Sequence, residues 1–160
     1  MKFSIMAFLA LTLAASAVPR PAAADWDYTR WGMTAEQVIA ASRGAASMVP
    51  VDSRYRNEDE DYEITVEATT SGPPVLNIGF MFDIPGGGLK CVLYSASGPD
   101  AEAVQAMLVQ RYGKPIKETS FTSGRSQTRS LNWKTPDAIE IVLNDKPVAA
   151  VVSQCAPGKG

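Results

Sequence analysis

Few residues in this chain are of types that could do chemistry. Its 160 residues include two cysteines, Cys91 and Cys155, no histidine, 17 acidic and 15 basic residues. Without histidine, His-based triads, His-ligated zinc and the commonest general base are excluded. Two cysteines cannot build a four-thiolate zinc site. Catalysis would need paired carboxylates or a Ser–Lys pair, and Glu63, Glu67 and Glu140 alternate with apolar residues as solvated strand faces do. The acidic run Glu58-Asp59-Glu60-Asp61 lacks the alternating spacing and glycine of a calcium loop and reads as a solvated loop. Gly86-Gly87-Gly88 is followed by neither Gly-Lys-Ser/Thr nor a helix, which makes it a hairpin loop rather than a phosphate cradle. Trp26, Tyr28 and Trp31 could stack a sugar or peptide; anchoring the start of the folded chain on the core is the favoured reading. No nucleophile elbow or dinucleotide fingerprint is present, and no cofactor or metal is implied.

The two cysteines acquire a meaning from the N-terminus. Met1-Lys2, the apolar run Ile5–Ala17 and Ala22-Ala23-Ala24 together make a secretory signal peptide, residues 1–24, with cleavage after Ala17 as the alternative. The apolar run is shorter than the roughly 18 residues of a membrane span, and Pro19 and Pro21 would end a helix there. Residues 25–160 then form one α+β domain, periplasmic or secreted, with no transmembrane segment in the mature chain. In an oxidising compartment an even cysteine count points to a disulfide, two buried free thiols being the alternative. A Cys91–Cys155 bridge would constrain the unfolded chain by roughly 4 kcal/mol. Loss of Lys2 and Arg20 with the leader leaves 13 bases against 17 acids, a net charge of −4. A weakly acidic domain with no basic run argues against nucleic acid and anionic lipid as partners.

Patterning supplies the elements. Thr34-Ala35-Glu36-Gln37 fits a capping box, Met33 and Val38 a hydrophobic staple, and Gly44 a stop, predicting a helix over 35–43. A second helix starts at Ser97-Gly98-Pro99-Asp100, buries Ala101, Val104, Met107, Leu108 and Tyr112, and ends at Gly113. Residues 62–69 alternate as a strand with Tyr62, Ile64, Val66 and Ala68 inward. Two apolar runs flank the triple glycine as a hairpin. Period-2 counting puts Leu76, Ile78, Phe80 and Phe82 on one face of its first strand, and Leu89, Cys91 and Leu93 opposite Lys90, Val92 and Tyr94 on its second. Strands near 128–135, 138–144 and 148–155 follow, with Leu131, Trp133, Ile139, Ile141 and Leu143 inward; the polar stretch 116–127 is a strand edge or a loop.

Trp31-Gly32-Met33-Thr34-Ala35-Glu36-Gln37-Val38 resembles the WGMT/S-x-E-x-V opening of small secreted proteins of Gram-negative bacteria. Gly32-Met33-Thr34 with Gln37-Val38 is also similar to the opening helix of small outer-membrane-assembly lipoproteins and of the β-lactamase-inhibitor-protein fold. The resemblance implies an α+β envelope protein. The chain has neither a lipidation cysteine nor an inhibitor loop to match, so no binding residue transfers.

The expected architecture is an antiparallel sheet of about six strands with two helices on one face. The halves 34–96 and 97–160 share one order, helix then three strands with a cysteine in the third, which allows a tandem αβββ repeat. Thr34 to Cys91 and Gly98 to Cys155 are each 57 positions, and such a repeat would put the third and sixth strands side by side. The face away from the helices is expected to carry Glu63, Thr65, Glu67, Met81, Lys90, Val92, Tyr94, Ser130, Asn132, Lys134, Glu140 and Val142. Met81, Val92, Tyr94 and Val142 would form its apolar, partner-binding strip. The function expected is a non-catalytic binding or interaction module for another envelope protein or a peptide. The alternatives are a small carboxylate-dependent hydrolase and a structural envelope component.

Overall fold

A computed structural model describes residues 26, 28–57, 61–135 and 137–158. The expected leader, residues 1–24, and the acids Glu58, Asp59 and Glu60 lie outside the described residues. In chain order the elements are α1 (Ala35–Ser42), β1 (Ala46–Met48), a 3₁₀ turn (Val51–Ser53), β2 (Arg56–Asn57), β3 (Tyr62–Thr69), β4 (Asn77–Asp83), β5 (Leu89–Ser97), α2 (Pro99–Tyr112), β6 (Lys117–Ser123), β7 (Ser126–Lys134), β8 (Ala138–Asp145) and β9 (Val148–Cys155). Among the described residues nine strands form one antiparallel sheet, ordered β1-β3-β4-β5-β9-β8-β7-β6, with β2 also on β3. The count exceeds six because three strands join those the alternation predicts. β1 and β2 are too short to show a period, and every side chain of β6 is exposed, so burial imposes no alternation on it.

Both helices form where their end signals place them. The Thr34 hydroxyl accepts from the Gln37 N–H (3.3 Å) while the Gln37 side chain accepts from the Thr34 N–H (2.9 Å), the reciprocal capping box. α2 has Pro99 at its first position and Gly113 as its C-cap, whose carbonyl accepts from the Trp133 indole N–H at 2.9 Å. Val38 of α1 and Ala101, Val104 and Leu108 of α2 enter one buried cluster with Val66, Ile78, Phe80, Phe82, Leu89, Val92, Tyr94, Leu131, Trp133, Ile139, Ile141, Ala150 and Val152 of the sheet. The helices therefore cover one face.

Two bulges decide which side chains reach that face. The β4–β5 register steps from Phe82↔Leu89 to Met81↔Cys91, leaving Lys90 as the extra residue. Leu89 and Val92 can then both point into the core. Beyond the bulge the alternation on β5 is the reverse of the period-2 expectation: Val92, Tyr94 and Ala96 are buried against the helices, and Leu93 faces away. A second register shift on β3, between Ile64 and Val66, sends Val66 and Ala68 inward while Ile64 pairs with Met81 on the far face. Glu63 and Thr65, expected on the open face, instead border the α1 side, where Glu63 pairs with Arg54 at 2.9 Å. The alternation expected for β4, β7 and β8 holds.

The segment before α1 is locked onto the hairpin. Gly32 N–H donates to the Leu89 carbonyl (2.9 Å), and Leu89 N–H donates to the Met33 carbonyl (2.7 Å). A Cβ on Gly88 would stand 2.6 Å from Gly32 Cα and 2.7 Å from its carbonyl oxygen, so the triple-glycine loop is there for close backbone approach. The Trp31 indole N–H donates to Asp137 Oδ1 (3.0 Å), whose Oδ2 accepts from Gln154 Nε2 (2.8 Å); Asp137 and Gln154 are both buried. Trp26 stacks tilted on Tyr94 at 5.7 Å and Tyr28 on Phe80 at 6.2 Å, so these aromatics anchor the segment to the core. Gly88→Ala should therefore cost about 1–3 kcal/mol, the range for overpacking against backbone that must move. Urea denaturation checks it, and a wild-type midpoint would mean that the Gly32 segment yields freely.

At the other end of the sheet, Asp145 ties the β6–β7 turn to the β8–β9 turn. Its Oδ1 accepts from the Gln127 N–H at 2.6 Å and from the Ser126 hydroxyl at 3.2 Å. The Gln127 N–H is the main cause holding this carboxyl below its ordinary value; desolvation opposes it, and the Ser126 hydroxyl and then Lys146 add to the lowering. A lowered folded pKa contributes stability above the unfolded value of about 3.9 that is lost as pH falls through the folded one. The Gln127 amide proton shift should accordingly titrate with an inflection below about 3.9, and Asp145→Asn should abolish it; an inflection at or above that value would refute the tie.

Candidate functional site

Cys91 and Cys155 stand directly opposite each other on β5 and β9, with Cα atoms 4.0 Å apart, and form a disulfide. The bridge lies on the face away from the helices, because Cys91 pairs with Met81 there and Cys155 alternates with the buried Gln154 and Val152. It joins the third and sixth of the strands read from the sequence, and neither cysteine is free.

The expected apolar strip does not form as read. Val92 (2% exposed) and Tyr94 (5%) sit in the core under the helices, and Met81 (3%) is on the open side but buried. Of the four, Val142 alone is partly exposed. The cause is the Lys90 bulge, which moves Val92 and Tyr94 to the other face and puts Leu93 in their place.

A different apolar site replaces it. Register carries one row across the open face through Asn132, Glu140, Ser153, Leu93, Gly79 and Glu67, and the next through Ser130, Val142, Val151, Ser95 and Asn77. Around Gly79 these rows enclose an open depression of about 580 Å³ lined by Ile64, Leu93 and Val151, with Glu67, Asn77 and Ser95 among its polar members. Gly79 makes the floor. A Cβ there would meet Ile64 Cδ1 at 3.0 Å, so the isoleucine side chain lies across the space that the glycine leaves open. Val151 is 43% exposed and pairs with Val142, which extends the apolar surface toward β8. Sequence reasoning missed Ile64, Leu93 and Val151 as surface residues. The available signal was Gly79 itself, since a glycine inside a strand marks a bulge or a close approach.

The sheet acids are dispersed. Glu63 is held by Arg54 and by the Thr65 hydroxyl (3.2 Å), Glu140 accepts from the Ser130 hydroxyl, and Glu67 is exposed beside the depression. Among the described residues no three of His, Cys, Asp and Glu converge as a metal would require. A second hollow of about 300 Å³ lies between α2 and the β3–β4 connection, walled by Trp26, Pro73, Pro74, Tyr94, Met107 and Tyr112. Burial lifts the Tyr28 phenol above its ordinary pKa, the Trp26 side chain acting the other way. No described helix is long and apolar enough to cross a membrane.

Comparison with known proteins finds no matching family model, no matching curated protein and no matching solved structure.

Proposed function

We propose that this chain is a non-catalytic binding module of the periplasm or extracellular space. Its open sheet face receives an apolar side chain of another envelope protein or peptide. The observation that carries this reading is the depression over Gly79, on the one face the helices leave bare, with an apolar lining and polar neighbours. That composition suits recognition of an apolar anchor flanked by hydrogen-bonding backbone. Export is supported by the leader pattern of residues 1–24 and by the disulfide, which suits an oxidising compartment. The tandem αβββ reading has its support in the strand order, which runs outward on both sides from the β5–β9 pair and its bridge.

The test is affinity capture from periplasmic extract with the wild type and Val151→Glu. Val151 is exposed, so the variant should melt within a few degrees of the wild type. A captured protein should lose binding at least about tenfold, the equivalent of ~1.4 kcal/mol. Capture unaffected by Val151→Glu, and equally by Leu93→Ser, would move the binding site off this face.

A further inference from the structure

We propose that the exposed edge strand β6 is a self-association site, through which two copies of this chain pair antiparallel about a two-fold axis at Ser120. β6 ends the sheet, and all seven of its side chains are exposed. Its partner β7 is laddered on its other side to β8 from Thr128 to Lys134, and Asp145 holds Ser126 and Gln127, so β6 is laid on a fixed support and has its outer side toward solvent.

The two edges of the sheet are built differently. On β3 the outer side is blunted by two short strands, by charges at Arg54, Arg56, Glu63 and Glu67, and by the bulge after Ile64. Those are the devices that keep sheet edges from pairing. β6 has an unbroken register from Lys117 to Ser123, no proline, and an uncharged run Thr119-Ser120-Phe121-Thr122-Ser123 with Phe121 61% exposed. One edge is guarded and the other is not. Addition of β6 to the far edge of another copy, which would run on into a filament, is therefore disfavoured, and closed β6–β6 pairing is the remaining symmetric choice.

The hairpin connection sets which backbone groups are offered. Ser123 pairs with Ser126 across the two-residue Gly124-Arg125 loop, with Gly124 at φ +62, as a type II′ turn requires. The backbone groups of Thr119, Phe121 and Ser123 then turn to β7, and those of Glu118, Ser120 and Thr122 turn outward. Pairing centred on Ser120 sets Glu118 opposite Thr122, Thr119 opposite Phe121 and Lys117 opposite Ser123, with no like charges facing. It also brings the two Phe121 rings to the diagonal separation at which aromatic side chains meet.

Sedimentation velocity of the oxidised protein from ~1 μM to ~1 mM should show a weak monomer–dimer equilibrium, as expected for a small interface. Ser120→Pro removes an outward N–H that no intrachain ladder bond uses, a substitution edge strands tolerate; it should abolish the dimer and leave the melting temperature within a few degrees. Ser120→Cys should cross-link much faster than Thr122→Cys, because paired Ser120 Cα atoms would be about 5.5 Å apart and Thr122 Cα atoms roughly 13 Å apart along the strands. A wild type monomeric throughout, a dimer that Ser120→Pro leaves intact, open-ended oligomers, or equal cross-linking at the two cysteines would each overturn the proposal.

Discussion

The bulge at Lys90 is the constraint on which this structure turns. By inserting one residue between Leu89 and Cys91 it lets β5 present Leu89, Val92, Tyr94 and Ala96 to the helices. The same insertion turns Cys91 to the other face, where Cys155 meets it. Without it, either Leu89 or Val92 would leave a core in which both are about 2% exposed. Losing a buried side chain of that size costs about 2–5 kcal/mol, which far outweighs the one ladder position a bulge disrupts. The disulfide, the buried face and the depression over Gly79 all inherit this change of phase.

A second set of close contacts explains the conspicuous opening motif and the triple glycine together. Trp31 is held by Asp137, Gly32 lies against Gly88, the Met33 carbonyl accepts from the Leu89 N–H, and Thr34 caps α1. Each of these four residues of the motif has a structural partner. The glycine loop leaves no room for a Cβ at position 88, so its composition answers to packing rather than to a ligand.

The two faces and two edges of the sheet consequently have different characters. One face is filled by α1 and α2; the other carries a depression where Gly79 has no side chain and Ile64 leans over it. One edge is broken up by short strands and charge, and the other is continuous, with an uncharged run from Thr119 to Ser123. Binding on the open face and pairing at β6 use separate surfaces, since β6 lies four strands from β5 and outside the lining of the depression.

Local sequence alone determined much of this protein. The capping box at Thr34, Pro99 and Gly113 around α2, and the inward sets of β4, β7 and β8 rest on short-range geometry that a few neighbouring residues specify. The cysteine pair was legible from the even count together with the leader-like pattern of residues 1–24. What tertiary structure decided was phase and edge. Whether an extra residue enters β3 or β5 depends on the register with β4, a contact between strands that no single strand records, so Val92 and Tyr94 read as outward and Ile64 and Leu93 as inward. β1, β2 and β6 form because a neighbour offers its ladder, not because their own residues alternate, and a strand exposed on both faces has no period to read.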